Sequence, residues 1–255
     1  MTRFHRPVTL QGAVNLLQRH ALSEAIAGGQ SLVPGLRDRA HDLKHLVAID
    51  QIGDLRGITA GPHELSIGGA ETHHHIASSQ IVRDTLPALS DLARTIGDAQ
   101  IRHRGTVAGA LVSRPLGTDY LAALLALEAT LHTTTGDHAI QYIDLKAGDR
   151  FLAPGELILS LSVRRPEAAI YQKHAHDAAG YATLGLFCAR WTDQTHSLAV
   201  IGAGFAPSHM RLAAGQAVSD AGPDMTARSG LNPFAEAVLN RFLHQAQAAL
   251  QPRKN

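Results

Sequence analysis

Apolar residues near the start of the chain recur at helical spacing. Ala13, Leu16 and Leu17 share one face, and Thr9 stands ahead of them as a cap. A short apolar stretch, Ala25 to Ala27, runs into Gly28 and Gly29, and Leu46 to Ile49 makes a compact buried-strand pattern ending at Asp50. From Gly57 the pattern changes. Arg56 to Thr59 and Leu65 to Ile67 read as extended segments around a turn at Gly61-Pro62. Thr72 to Ser78, Pro87 to Ile96 and Gly117 to Ala126 read as helices, the second with Leu89, Leu92, Ala93 and Ile96 on one face. Ala129 to Thr135 and His138 to Ile143 predict a second hairpin turning at Gly136-Asp137, and Leu157 to Val163 alternates apolar with polar up to Pro166. Tyr181 to Arg190 and Leu198 to Gly202 follow as strands, before an amphipathic helix around Ala235 to Leu250. The order is a small βαβ-like unit, a mixed α+β unit and a strand–strand–helix tail. Arg165-Pro166 is the plausible joint.

Composition narrows the classes. The 255 residues suit one large domain or two modest ones, and 45% hydrophobic residues suffice for a packed core. A formal net charge of +1 gives no basic field, so nucleic acid is not an expected partner. The single cysteine, Cys188, excludes an internal disulfide, an all-cysteine iron–sulfur cluster and a four-cysteine zinc site within this sequence. A redox centre must therefore be a bound organic cofactor or belong to a partner. The opening MTRFHRPVTL lacks the apolar core of a signal peptide. The apolar run Leu121 to Leu131 is broken by Glu128 and too short for a membrane span, so a cytoplasmic protein is expected.

Two segments could carry chemistry. In Ala27-Gly28-Gly29-Gln30-Ser31-Leu32, paired glycines let the backbone take positive φ and come close to a ligand. Successive free N–H groups ahead of a helix would cradle a pyrophosphate, with Ser31 adding a hydroxyl. The alternative is a tight strand-to-helix turn without a ligand. In QIRHRGTVAGA, Arg102, His103 and Arg104 precede a second small-residue loop formed by Thr106, Val107, Ala108, Gly109 and Ala110. A long dinucleotide needs such a second loop, because its two phosphates are held from both sides. The alternative is a solvated basic turn.

AGGQSLVP, LVAID followed by LRGI, SIGGAETHHHIASS, and QIRHRGTVAGA with Asp119 downstream resemble, in that order, the FAD-binding subunit of molybdenum hydroxylases. That family includes the medium subunit of carbon monoxide dehydrogenase and the flavin domain of xanthine dehydrogenase. The similarity runs from Phe4 to about Arg211, where LAVIGAGFAPSHMR resembles the start of the family's small C-terminal domain.

The resemblance implies a vanillyl-alcohol-oxidase-type (PCMH) α+β fold. Residues 1–166 would form the FAD-binding domain, with subdomains of about 1–56 and 57–166, and residues 167–255 a small α+β C-terminal domain. It places Ala27 to Leu32 and Thr106 to Ala110 on opposite sides of the FAD pyrophosphate. Further flavin contacts fall at Ile96, Asp119, Ile158 and Lys173, with Ile96 near the isoalloxazine ring. It further implies electron transfer from two [2Fe–2S] clusters on a small subunit, fed by molybdopterin on a large subunit, in a dimer of heterotrimers. The sequence departs from the pattern at Ala108 and Ala110, where the family carries Gly and Asn, and at His176 and Gly180, where it carries Arg and Asp. Pro115 is shifted by one place. If Ala108 needed a left-handed backbone, it would cost on the order of 1 kcal/mol. These departures motivate a competing role as an assembly subunit that binds FAD weakly or not at all. A free-standing flavin oxidoreductase is a third reading.

Other patterns compete. Leu198 to Pro207 runs a strand into G-x-G, but Pro207 replaces the third glycine and too little chain follows for a nicotinamide fold, which favours a plain strand and turn. His73-His74-His75 invites a metal reading, yet neighbouring helix residues point about 100° apart and cannot share one ion. A polar helix start capped by Thr72 is preferred. Cys188, within LGLFCARW, reads as a small buried hydrophobe.

Overall fold

The computed structural model describes residues 2–37, 42–113, 118–142, 151–175 and 180–251. The expectations at Gly117, Ile143, Pro115 and His176 lie outside them. Among the described residues, three β-sheets share the strands. β1 (Arg3–His5), β2 (Ser23–Ile26) and β3 (His45–Ala48) form a parallel sheet in the order β1-β3-β2. Parallel neighbours need a crossover, and α1 (Leu10–Arg19) supplies the first. The Thr9 hydroxyl caps it by accepting from Gly12 N–H at 3.1 Å. Its buried Ala13 and Leu17 join Val47, Ile52 and Leu55 in a small core. After β2 the chain passes Gly28-Gly29 and enters the short helix α2 (Leu32–Arg37).

The second sheet is antiparallel, in the order β4-β5-β8-β6-β7. β4 (Ile58–Ala60) and β5 (Glu64–Gly68) flank the expected Gly61-Pro62 turn, closed by Gly61 N–H donating to the Glu64 carbonyl at 2.8 Å. Among the described residues, six helices intervene: α3 (His73–Ser78), α4 (Gln80–Thr85), α5 (Pro87–Arg94), α6 (Ala99–Arg104), α7 (Val107–Ser113) and α8 (Asp119–Ala126). β6 (Thr130–Thr133), β7 (Asp137–Ala139) and β8 (Ile158–Arg164) complete the sheet. The β6–β7 turn falls two residues earlier than expected. His132 pairs with Asp137 and Thr133 N–H donates to the Gly136 carbonyl at 2.9 Å, so Thr134 and Thr135 stand at the centre of the turn, and a 3-10 turn from Ile140 to Tyr142 replaces the end of the predicted strand.

The third sheet, also antiparallel, runs β12-β11-β10-β9 from β9 (Ala168–Ala175), β10 (Ala182–Arg190), β11 (His196–Ile201) and β12 (Ser208–Leu212). One face carries α9 (Gly222–Ser229) and α10 (Pro233–Ala249), which bury Leu186, Cys188 and Val200 with Leu239 and Phe242. Cys188 is fully buried, and burial pushes its thiol well up, as a packing residue's should be. The glycines after β11 lead into the antiparallel strand β12, not a helix, so no nucleotide-binding crossover exists there.

α8 joins the second and third sheets. Its sequence DYLAALLA has no polar face beyond its first turn, and all eight residues are buried. A helix apolar all round must be covered all round. Its core includes Leu65, Leu131 and Leu161 on one side, and Phe187, Ala199 and Ile201 on the other. Ser197 donates to the Ala126 carbonyl at 2.5 Å and accepts from Trp191 Nε1 at 2.8 Å, fixing the end of the helix against β11. Among the described residues, no helix is long and apolar enough to cross a membrane.

Candidate functional site

The first glycine segment meets the second through the backbone. A Cβ built on Gly28 would lie 1.9 Å from the Arg104 carbonyl oxygen and 3.0 Å from Gly105 Cα, so no other residue fits without moving a chain. Gly29 has φ +73°, the left-handed region that glycine enters without a Cβ clash. These two glycines bring the end of β2 against the α6–α7 link. The N–H groups of Gly29, Gln30, Ser31 and Leu32 have no acceptor among the described residues, whereas the Gly29 carbonyl accepts from Val33 at 3.0 Å. Gln30 and Ser31 are exposed, and Ala27 and Leu32 half-buried.

The second segment differs from the expected loop. The basic run lies on α6, N-capped by Asp98, which accepts from Ile101 N–H at 2.8 Å. After Gly105 and Thr106 the chain is already helical, so Val107 to Ala110 open α7. Ala108 therefore has a right-handed helical backbone and is absent from the positive-φ residues, so the strain expected there does not arise. Most amides of this segment are also occupied. Val107 N–H donates to Glu71 O at 3.0 Å and Ala108 N–H to Gly69 O at 3.1 Å. Gly109 N–H donates to Thr106 Oγ1 at 3.2 Å, and Ala110 N–H to Thr106 O at 2.9 Å. Thr106 N–H has no acceptor among the described residues. The free donors are concentrated on the first segment, and the second is a rigid wall.

That wall ties the other expected residues together. Gly69, which accepts from Ala108, donates to Leu159 O at 2.8 Å, so Ile158 at the start of β8 stands beside α7. His73 donates its backbone N–H to Gly105 O at 3.0 Å. Its ring is buried, shares a 3.2 Å hydrogen bond with the Tyr120 hydroxyl and touches the Gly105 Cα region. Burial, reinforced by the Arg102 charge, pushes the His73 imidazole down to about 4. Arg102 spends its guanidinium on the carbonyls of Ile96 and Gly97, at 3.1 and 2.7 Å.

Next to Tyr120, Asp119 opens α8 with only 5% exposure. Lys173 Nζ lies 3.1 Å from Asp119 Oδ2 and 3.2 Å from the Thr95 carbonyl, beside Ile96. Both charged side chains are 6% exposed. The Tyr171 hydroxyl donates to Asp119 Oδ1, and burial followed by the Asp119 charge raises the Tyr171 phenol well above its ordinary range, so it stays protonated. Asp119, Lys173 and Ile96 thus converge. Tyr171, His73, Tyr120 and Gly69 had no site role in the sequence reading, although Tyr171 stands in a YQK segment that resembles the family's aromatic-x-Lys. Tyr171 had a signal, standing two residues before Lys173 on the same strand face. His73-His74-His75 do not share an ion: His73 turns inward, His74 stacks on His103, and His75 pairs with Glu71. Thr72 caps their helix as expected, accepting from His75 N–H at 3.1 Å.

A run of backbone donors without acceptors among the described residues, held against the α6–α7 link, is an arrangement that can receive an anionic group. Residues 1–166 match the family described as the FAD binding domain in molybdopterin dehydrogenase, and the chain belongs to that family. It is 30% identical over 183 residues to the glyceraldehyde dehydrogenase medium chain of Sulfolobus acidocaldarius, covering 69% of this chain and 65% of that one. It is 31% identical over 188 residues to the carbon monoxide dehydrogenase medium chain of Afipia carboxidovorans, covering 71% and 65%. The matched segment thus spans just under two thirds of each of these relatives. Among solved structures, carbon monoxide dehydrogenase from Hydrogenophaga pseudoflava superposes with a TM-score of 0.85 at 25% identity, over 97% of this chain and 96% of that one. The fold is that of the PCMH-type FAD-binding domain with its small C-terminal unit.

Two outcomes test this geometry. Folded His73 takes a proton only near pH 4, while an unfolded histidine takes one near 6.5. The unfolded state therefore holds more protons between those values, and stability falls as the pH drops through them, by roughly 3 kcal/mol from this group. Urea unfolding at pH 7 and pH 4 should show that loss in the wild type and lack most of it in His73→Gln. Lys173→Met, which strands the Asp119 carboxylate, should cost about 3–5 kcal/mol. Asp119→Leu/Lys173→Met should recover much of that; a double variant no better than the single would show that the pair does not act as a unit.

Proposed function

We propose that this chain is the FAD-carrying electron-transfer subunit of a molybdopterin-dependent hydroxylase or dehydrogenase. The observation that carries the reading is the contact of Gly28 with the Arg104 carbonyl, which sets four N–H groups without acceptors among the described residues beside the α6–α7 link. Those donors suit a pyrophosphate, which needs several short, fixed N–H contacts at once. Gly29 to Leu32 would bind the phosphates, with Ala27 and Gly28 at the base and Ser31 offering its hydroxyl. Thr106 would add one amide, while Val107 to Ala110 would shape the opposite wall. Ile158 would line the site behind them.

FAD, when bound, supplies a ring that takes electrons from one redox centre and gives them to another. The chain's own residues fix charge and exclude water around it. Lys173, held by Asp119 and the Thr95 carbonyl, would keep a cation beside Ile96, which would offer an apolar surface to the ring system. Tyr171 stays protonated and holds the Asp119 carboxylate in place. None of these groups is required to act as a general acid or base.

With one cysteine, the chain has no ligand set for iron–sulfur clusters. The same reading therefore assigns two [2Fe–2S] clusters to a small partner and molybdopterin to a large one, assembled as a dimer of heterotrimers in the cytoplasm. Residues 1–166 are then the flavin-binding domain and 167–255 the C-terminal domain.

Purified chain, alone and co-expressed with its two partner subunits, should bind FAD with the visible absorption of a bound flavin. Gly28→Ala should lower FAD affinity at least tenfold in equilibrium titration while far-UV circular dichroism is kept, because the added methyl pushes the two segments apart. Protein that takes up no FAD in either state would overturn the proposal and leave the assembly-subunit reading in its place.

A further inference from the structure

Sixteen histidines are far more than the flavin site uses, and three of them meet at the opposite end of the first sheet. His5 ends β1, His45 begins β3, and His20 is the C-cap of α1. The parallel register pairs Arg3 with His45, which puts His5 on the same sheet face as His45, two residues along. α1 packs on the sheet through Ala13 and Leu17, and this brings His20 onto the same spot. The rings stack: His20 and His45 have centroids 4.1 Å apart at 9°, and His5 lies 5.2 and 5.5 Å from His45 and His20. His5 Nε2 and His45 Nδ1 are 2.9 Å apart. One ring nitrogen from each histidine lies within 4.8 Å of the others, and all three side chains are half-buried.

We propose that His5, His20 and His45 bind a borderline divalent transition-metal ion such as Zn2+, as a clamp that fastens the end of α1 to β1 and β3. Three imidazole nitrogens are a donor set for zinc, copper or nickel; magnesium and calcium require oxygen ligands. Tetrahedral zinc with Zn–N bonds of about 2.0–2.1 Å places ligand nitrogens about 3.3 Å apart. The His5–His45 pair is already near that spacing, and the third nitrogen must close by about 1.5 Å at most, within reach of ring rotation that also tilts the rings out of their stack. Half-burial leaves the fourth position to water. The negative end of α1 lies at His20 and favours a cation; Arg3, also near His45, opposes it and lowers the affinity without occupying a ligand position.

The site is separate from the flavin segment. His45 pairs with Ser23, whereas Gly28 and Gly29 follow Ile26, which pairs with Ala48, so the two lie at opposite ends of β2 and β3. The readouts can therefore be kept apart, and the clamp does not rest on the flavin assignment. Among the described residues, no other group of three or more metal-ligating side chains closes in this way.

The test is a titration of chelator-stripped full chain with ZnCl2, followed by calorimetry and thermal unfolding. One equivalent of zinc should bind saturably and raise the unfolding midpoint. His20→Ala, His45→Ala and His5→Ala should each weaken zinc binding at least tenfold, and exposed His209→Ala should leave it unchanged. Co2+ in place of Zn2+ should give visible d–d absorption that His20→Ala abolishes. His20 is at the solvent-facing end of a helix, so its variant tests the site even if His45→Ala proves unstable. Absence of saturable binding, or binding that survives His20→Ala at full strength, would overturn the proposal.

Discussion

The architecture around the Gly28-Gly29 segment depends on a missing side chain. Gly28 lets the end of β2 rest on the carbonyl of Arg104, a contact that any Cβ would break. From that point the constraint propagates through hydrogen bonds. Gly105 receives the His73 amide, Glu71 receives Val107, and Gly69 receives Ala108 and passes the chain of contacts to β8. The α6–α7 link is bonded on nearly every amide and therefore rigid, while the first segment keeps its amides free. A binding site made this way would have one donating face and one shaping face, and the two family-like motifs would do different work.

The second organising element is α8. Its apolar sequence forces burial on every side, and this places Asp119, at its first turn, where water cannot solvate it. A buried carboxylate without a partner would be costly. Lys173 from β9 and Tyr171 two residues earlier satisfy it, and in doing so hold the third sheet against the second. Replacing such a pair with apolar residues is often neutral or stabilising. The proposed flavin site would give the fixed cation beside Ile96 a use.

Much of this was legible along the chain, for local reasons. Thr9 and Thr72 are caps followed by apolar faces, and Gly61-Pro62 is a turn whose flanks alternate. Strands β10 and β11 lie inside their sheet and read as apolar runs. β1, β9 and β12 are edge strands of mixed exposure, without a clean alternation or an apolar run, and they did not read. The α6–α7 region was misread as a loop because Arg102, His103 and Arg104 mask a helix whose cap, Asp98, lies several residues upstream. VAGAL also has too little polarity to display a helical period. The flavin motifs could be found by resemblance, but their unequal roles could not, because which amides are free is decided by Gly69 and Glu71, far away in sequence. The histidine cluster was invisible for the same reason: register and packing of α1 bring His5, His20 and His45 together, and spacing does not.

The proposed flavin site is assembled from Gly29 to Leu32 against the α6–α7 link, with Asp119 and Lys173 alongside. Hydrogen–deuterium exchange of the full chain, with and without saturating FAD, measures this at the amides themselves. Strong slowing is expected in the peptide spanning residues 27–32, where the amides of Gly29 to Leu32 have no acceptor among the described residues. Smaller changes are expected across 104–110 and 169–175, and none across 202–207. Slowing confined to 202–207, or an unchanged 27–32 peptide in FAD-bound protein, would contradict it.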